Sequence, residues 1–168
     1  MKKGISTWLM TKVVMLIFLT MTFAIILSFT GLVQQRATAD AAQHLTVRVK
    51  DSIQALLGLG AHTGTRFVVM PEEIPEDAER SVPYTLHIMK ESDEEVYIAV
   101  TEGEYSKGED IESYITASTF KFEGDYEIEL SYDDSDYDES DLKLNSSSWR
   151  AVNIIKEGEV FKIYGTPR

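Results

Sequence analysis

Cysteine is absent from all 168 residues. That excludes disulfides, thiol catalysis and cysteine-ligated metal sites, so packing alone must hold the fold. Acidic residues are absent from Met1 to Ala39. All 28 of them lie in Asp40 to Arg168, beside twelve of the sixteen basic residues, which gives that part a formal charge of −16. A field of that sign repels nucleic acid and anionic headgroups, so no nucleic-acid partner is expected. Cation binding and life in concentrated salt stay open. Catalytic signatures are missing too, with no G-x-S-x-G elbow, P-loop or dinucleotide glycine pattern. His44, His62 and His87 are far apart and form no H-x-x-x-H pair. The sequence therefore predicts no catalytic residue, no cofactor and no enzyme, and its length suits one domain plus an anchor.

What is present first is a long apolar run. Val13 to Val33 reads VVMLIFLTMTFAIILSFTGLV, 21 residues without a charge. At about 1.5 Å per helical residue this matches a hydrocarbon core of roughly 30 Å, and an ectodomain of this size rarely encloses such a helix on every face. Lys2, Lys3 and Lys12 precede the run and only Arg36 follows closely, which places the N-terminus in the cytoplasm and the acidic part outside. Ala37-Thr38-Ala39 has the A-x-A form of a secretory cleavage site, and a cut there would release a soluble protein. The run exceeds the usual 7 to 15 residues of a signal peptide, however, and the helical pattern continues through the site, so retention is expected.

Beyond the membrane, Gln34 to Leu59 contains no proline, and Ala41, Leu45, Val49, Ile53 and Leu57 recur every fourth residue as an apolar stripe. The spacing predicts one helix from Ile5 to Leu57, about 80 Å long, with Gly31 as a possible bend and Gly58, Gly60 and Gly64 as stop signals. Packing on the chain's own sheet and a coiled coil between copies both fit the stripe. Next, Thr65–Met70, Tyr84–Met89, Glu95–Thr101, Ser113–Phe122, Asp125–Tyr132, Trp149–Ile155 and Val160–Tyr164 read as seven strands. The segment between Pro71 and Pro83 reads as a loop. The predicted fold is α+β, a long N-terminal helix packed on a small antiparallel β-sandwich-like domain, with the helix over 5–59, the span over 13–33 and the β domain over 60–168.

Two polar sites stand out in the β domain. Asp134, Asp136 and Asp138 begin like a calcium loop, but Glu139 replaces the turn glycine and Asn145 the closing glutamate, so no EF-hand results. These aspartates are a weak calcium candidate against the plainer reading of a solvated acidic loop. Asn145-Ser146-Ser147 is an N-glycosylation sequon on the predicted outside. The eight tyrosines are expected mainly in the core at alternating strand positions.

The N-terminus, Lys2-Lys3-Gly4-Ile5-Ser6-Thr7 running into the apolar helix, resembles the class III signal of archaeal type IV pilin-like proteins. The pieces V-x-x-P-E-x-I-P and P-Y-T-L within Arg66 to Val100 also look like ectodomains found behind such signals. The resemblance implies that a prepilin peptidase removes residues 1–4 by cutting between Gly4 and Ile5. It further implies that the retained helix anchors the subunit and joins a homo- or hetero-oligomer. Lys12 is comfortable at a cytoplasmic membrane face but costs about a few kcal/mol in dry hydrocarbon, which favours a membrane-held minor subunit. The alternative is an unprocessed single-pass membrane protein with an acidic extracellular binding domain.

Overall fold

The computed structural model describes residues 2–60, 62–75, 80–92, 94–105, 109, 113–133 and 139–168, with side chains from Trp8 onward except at 34 and 35. Among the described residues the single α-helix, α1, spans Lys2–Leu57 without interruption at Gly31. The chain divides into two compact units, Met1–Arg36 and Ala37–Arg168.

In the second unit α1 buries Ala42, Leu45, Thr46, Val49, Ile53 and Leu56. The predicted stripe is real in its middle and rotated at its ends, where Ala42 and Leu56 are sealed while Ala41 and Leu57 are only partly covered. A strict four-residue repeat advances about 40° beyond a full turn at each step, so its ends drift off the buried face of a straight helix. The stripe packs on the chain's own β domain, in one cluster with residues of both large sheets. The glycine-rich stop also operates: Leu59 and Gly60 donate to the carbonyls of Leu56 and Leu57 at 3.1 and 3.2 Å, and Gly60 adopts φ +59°, where a side chain is disfavoured.

The first four-stranded sheet comprises β1 (Gly64–Val69), β7 (Glu127–Ser131), β9 (Trp149–Glu157) and β10 (Val160–Pro167), in the order β1-β9-β10-β7. The second comprises β4 (Tyr84–Ser92), β5 (Glu95–Glu102), β6 (Thr116–Lys121) and β8 (Asp141–Asn145), in the order β6-β5-β4-β8. Strand alternation sends Val68, Val152, Ile154, Phe161 and Ile163 of the first and Leu86, Ile88, Ile98, Val100 and Leu144 of the second into the shared core.

All seven expected strands are present, with three corrections. The segment read as a loop holds a two-stranded hairpin, β2 (Ile74–Pro75) and β3 (Ser81–Val82), with Ile74 buried. The strand β8 was not anticipated, because its polar residues merge with the acidic run before it and the serines after it; structurally, Leu142 and Leu144 face the core while Lys143 faces the other side. The sheets are not wholly antiparallel, since β7 pairs in parallel with β10. The chain leaves β7 for the other sheet as β8 before returning as β9 and β10, and that excursion reverses the usual hairpin sense.

Candidate functional site

Two regions carry chemistry. In the first unit, α1 contains a stretch long and apolar enough to cross a membrane, none of it buried in the protein. Its three threonine hydroxyls bond along the helix: Thr20 donates to Leu16 O at 3.0 Å, Thr22 to Phe18 O at 2.8 Å and Thr30 to Ile26 O at 2.8 Å. In hydrocarbon no water completes such bonds, so self-satisfaction makes these residues tolerable in a span. At the N-terminal margin the Lys12 ammonium lies 5.7 Å from the centre of the Trp8 ring. An aromatic amphipath beside a cation suits a headgroup boundary, where the lysine stem stays in apolar surroundings while its charge reaches water. Gly4 and Ile5 lie in the helical backbone of α1.

The second region is the outer face of the β6-β5-β4-β8 sheet. Register sets His87 of β4 between Ala99 of β5 and Lys143 of β8, and Thr85 between Thr101 and Asn145. His87, Thr85 and Thr101 are fully sealed, and Lys143 is only 7% exposed. His87 Nε2 bonds Thr101 Oγ1 at 2.8 Å, whereas Nδ1 is buried without a partner. Lys143 Nζ donates to Glu109 O at 2.6 Å and lies 3.4 Å from Asp141 Oδ2. The rings of Tyr105 and Tyr114 meet His87 edge-on at 5.9 and 6.0 Å, and the Tyr105 amide donates to Thr85 Oγ1 and Asn145 Oδ1 at 3.2 and 3.1 Å.

Burial, reinforced by the Lys143 ammonium, pushes His87 down to about 4, so it is neutral at pH 7. Burial, with Tyr97 and Asp141 adding to it, raises the Tyr114 phenol. The folded His87 refuses a proton that the unfolded chain accepts below about pH 6.5. Stability is therefore lost as pH falls from about 6.5 toward 4, by up to about 3 kcal/mol. Denaturant melts at pH 7 and pH 4.5 should show wild type losing about 2 to 3 kcal/mol more than His87→Gln, because the carboxylates common to both cancel in the comparison.

The sequon residue Asn145 ends β8, half-buried, with Oδ1 also accepting from Thr85 Oγ1 at 2.7 Å. A glycan there would leave through Nδ2 while the carbonyl kept its place. Asp134, Asp136 and Asp138 lie outside the described residues, and among the described residues no group of three metal-ligating side chains occurs. His44 and His62 are exposed and well separated from His87 in sequence. Of the tyrosines, Tyr84 is fully buried and donates to Pro71 O at 2.8 Å, while Tyr114 is 39% exposed.

Sequence reasoning missed the His87 cluster and Lys156. The alternation in β4 places Thr85, His87 and Met89 on one face, but β8, which brings Lys143 and Asp141, was unrecognised. Lys156 is sealed beneath the end of α1, donating to Gly60 O and, at 2.6 Å, to Gly158 O, with the Tyr126 and Phe161 rings 5.7 and 5.9 Å away. It ties the helix terminus to the β9–β10 turn. Lys156→Ala should lower stability by about 2 to 3 kcal/mol, read from denaturant melts, because two carbonyls lose a charged donor.

Comparison with known proteins found no matching family model, curated protein or solved structure.

Proposed function

We propose that this chain is a pilin-like structural subunit of a type IV pilus-like cell-surface assembly, held in the membrane by α1 with its acidic β domain outside. The observation that carries the reading is the division of one helix into two environments. From Trp8 to Val33 its apolar side chains are exposed, and from Ala42 to Leu56 one face is packed in the β domain. The basic-glycine-apolar start supplies a site at which prepilin peptidase would remove residues 1–4 and leave the helix on the mature protein. Joining a homo- or hetero-oligomer through that helix would exchange lipid contacts for protein contacts.

The Trp8–Lys12 pair favours a second reading, in which the chain stays a single-pass anchor whose acidic domain binds a ligand, a cation or a neighbouring surface protein. Replacing Gly4 separates the two. Under the first reading, Gly4→Val leaves the leader in place by intact mass and abolishes assembly. An N-terminus at Met1 in wild type and variant alike, with unchanged assembly, would reject it in favour of the second.

A further inference from the structure

The triplet Ala37-Thr38-Ala39, which has the form of a secretory cleavage site, lies where the surroundings of α1 change. The compact unit of the β domain begins at Ala37. Upstream, from Trp8 to Val33, the apolar side chains are exposed; downstream, Ala42, Leu45 and Thr46 are sealed. Within the triplet Thr38 and Ala39 are partly covered, while Ala37 is exposed, as is Asp40 after it. The two alanines sit first and third before the Ala39–Asp40 bond, the positions at which a peptidase of this kind requires small side chains. Conformation withholds the bond. A peptidase binds its substrate as an extended strand, whereas residues 37–40 lie inside α1, with their backbone in helical geometry.

A strap from the β domain holds the triplet in that form. After β1 the chain is fixed at successive points. Met70 N donates to Arg150 O at 2.8 Å, Pro71 O accepts from the Tyr84 hydroxyl at 2.8 Å, and Ile74 of β2 is sealed in the same cluster as Ala42 and Leu45. The next carbonyl, that of Pro75, accepts from Thr38 Oγ1 at 2.7 Å. Strand β3 backs the strap, with Ser81 Oγ donating to Glu73 Oε2 beside the Ile74–Val82 pair. Tertiary contact therefore reaches the middle residue of the triplet, and unwinding the helix there first requires β2 to let go.

We infer that Ala39–Asp40 is a latent cleavage site guarded by β2, open to a peptidase of A-x-A specificity only when β2 lifts from α1 and the helix unwinds at Thr38. Water then adds across that amide, its hydroxyl to the Ala39 carbonyl carbon and its proton to the Asp40 nitrogen. The products are a membrane-held peptide ending at Ala39 and a soluble domain, Asp40 to Arg168, which keeps the whole buried cluster from Ala42 onward. The structure holds this guard closed, so the anchored form is the resting one. Release needs α1 in the membrane, as both readings above have it, and is indifferent to cleavage after Gly4.

The test incubates the full-length chain and its variants, in lipid vesicles, with a purified signal peptidase of A-x-A specificity. Intact mass of the supernatant reads the product beginning at Asp40, and sedimentation of uncut chain with the vesicles reports anchorage separately. Thr38→Val keeps the side-chain shape but removes the donated bond. It should speed release about fivefold, because cleavage tracks the open population. Ile74→Ala should speed it further. Ile163→Ala, as well sealed but on β10, weakens the core away from β2 and should leave the rate near that of wild type. Adding Ala39→Leu to Thr38→Val should abolish the Asp40 product. Equal rates in wild type and Thr38→Val, equal acceleration by Ile163→Ala and Ile74→Ala, or a cut at another bond would each overturn the assignment.

Discussion

Placing arginine at both Phe18 and Ile25 is expected to strip the chain from membranes. Each position lies in the uncharged stretch, with its side chain 73% or 68% exposed and no protein cover to supply a counter-charge. At the centre of a span, each arginine costs about 2.5 to 3.5 kcal/mol on insertion scales, and the lost apolar side chain adds a few tenths. Together they approach about 6 to 8 kcal/mol, enough to reverse insertion. The β domain should still fold, because neither side chain belongs to its core. Fractionation after an alkaline wash checks this: wild type stays in the pellet, and the double variant moves to the supernatant or is degraded. The conservative pair Phe18→Leu and Ile25→Leu should remain in the pellet.

The second large effect belongs to the other half of the helix. Ile53 is fully sealed and sits in the cluster that joins α1 to both sheets. Ile53→Ala should cost about 3 to 4 kcal/mol through lost burial and the cavity left behind. Ile53→Asp should cost more than about 4 kcal/mol, because a carboxylate there is either buried without a partner or must stay protonated. Val47, on the same helix but 41% exposed, provides the contrast; Val47→Asp should change stability by less than about 1 kcal/mol. Circular dichroism melts of the detergent-solubilised chain distinguish these outcomes. Similar losses at 47 and 53 would mean that α1 does not pack on the β domain.

Much of this architecture was legible because simple periodicities decide it. The uncharged run from Val13 to Val33 and the stripe through Leu45, Val49 and Ile53 each occupy a long stretch of one helix, where period and length reinforce one another. The strands were found where apolar residues alternate strongly, as in Glu95–Thr101 and Trp149–Ile155. What stayed hidden was set by tertiary context. The five residues of β8 are too short and polar to declare themselves, and Lys143 is buried only because β4 and Glu109 surround it. The His87 cluster depends on register between strands more than fifty residues apart in sequence. Parallel pairing of β7 with β10 follows from a crossover between sheets that no local pattern encodes. Glycines told more than polar residues did: Gly60, at φ +59°, ends α1, and Gly158, at φ +64°, makes the β9–β10 turn.

The proposed function requires that the mature protein keep α1 and seat it in the membrane. Its most direct test is the intact mass of protein extracted from native membranes after an alkaline wash. The predicted result is a membrane-bound polypeptide beginning at Ile5, with Val13 to Val33 present. A freely soluble product beginning at Asp40 would contradict it.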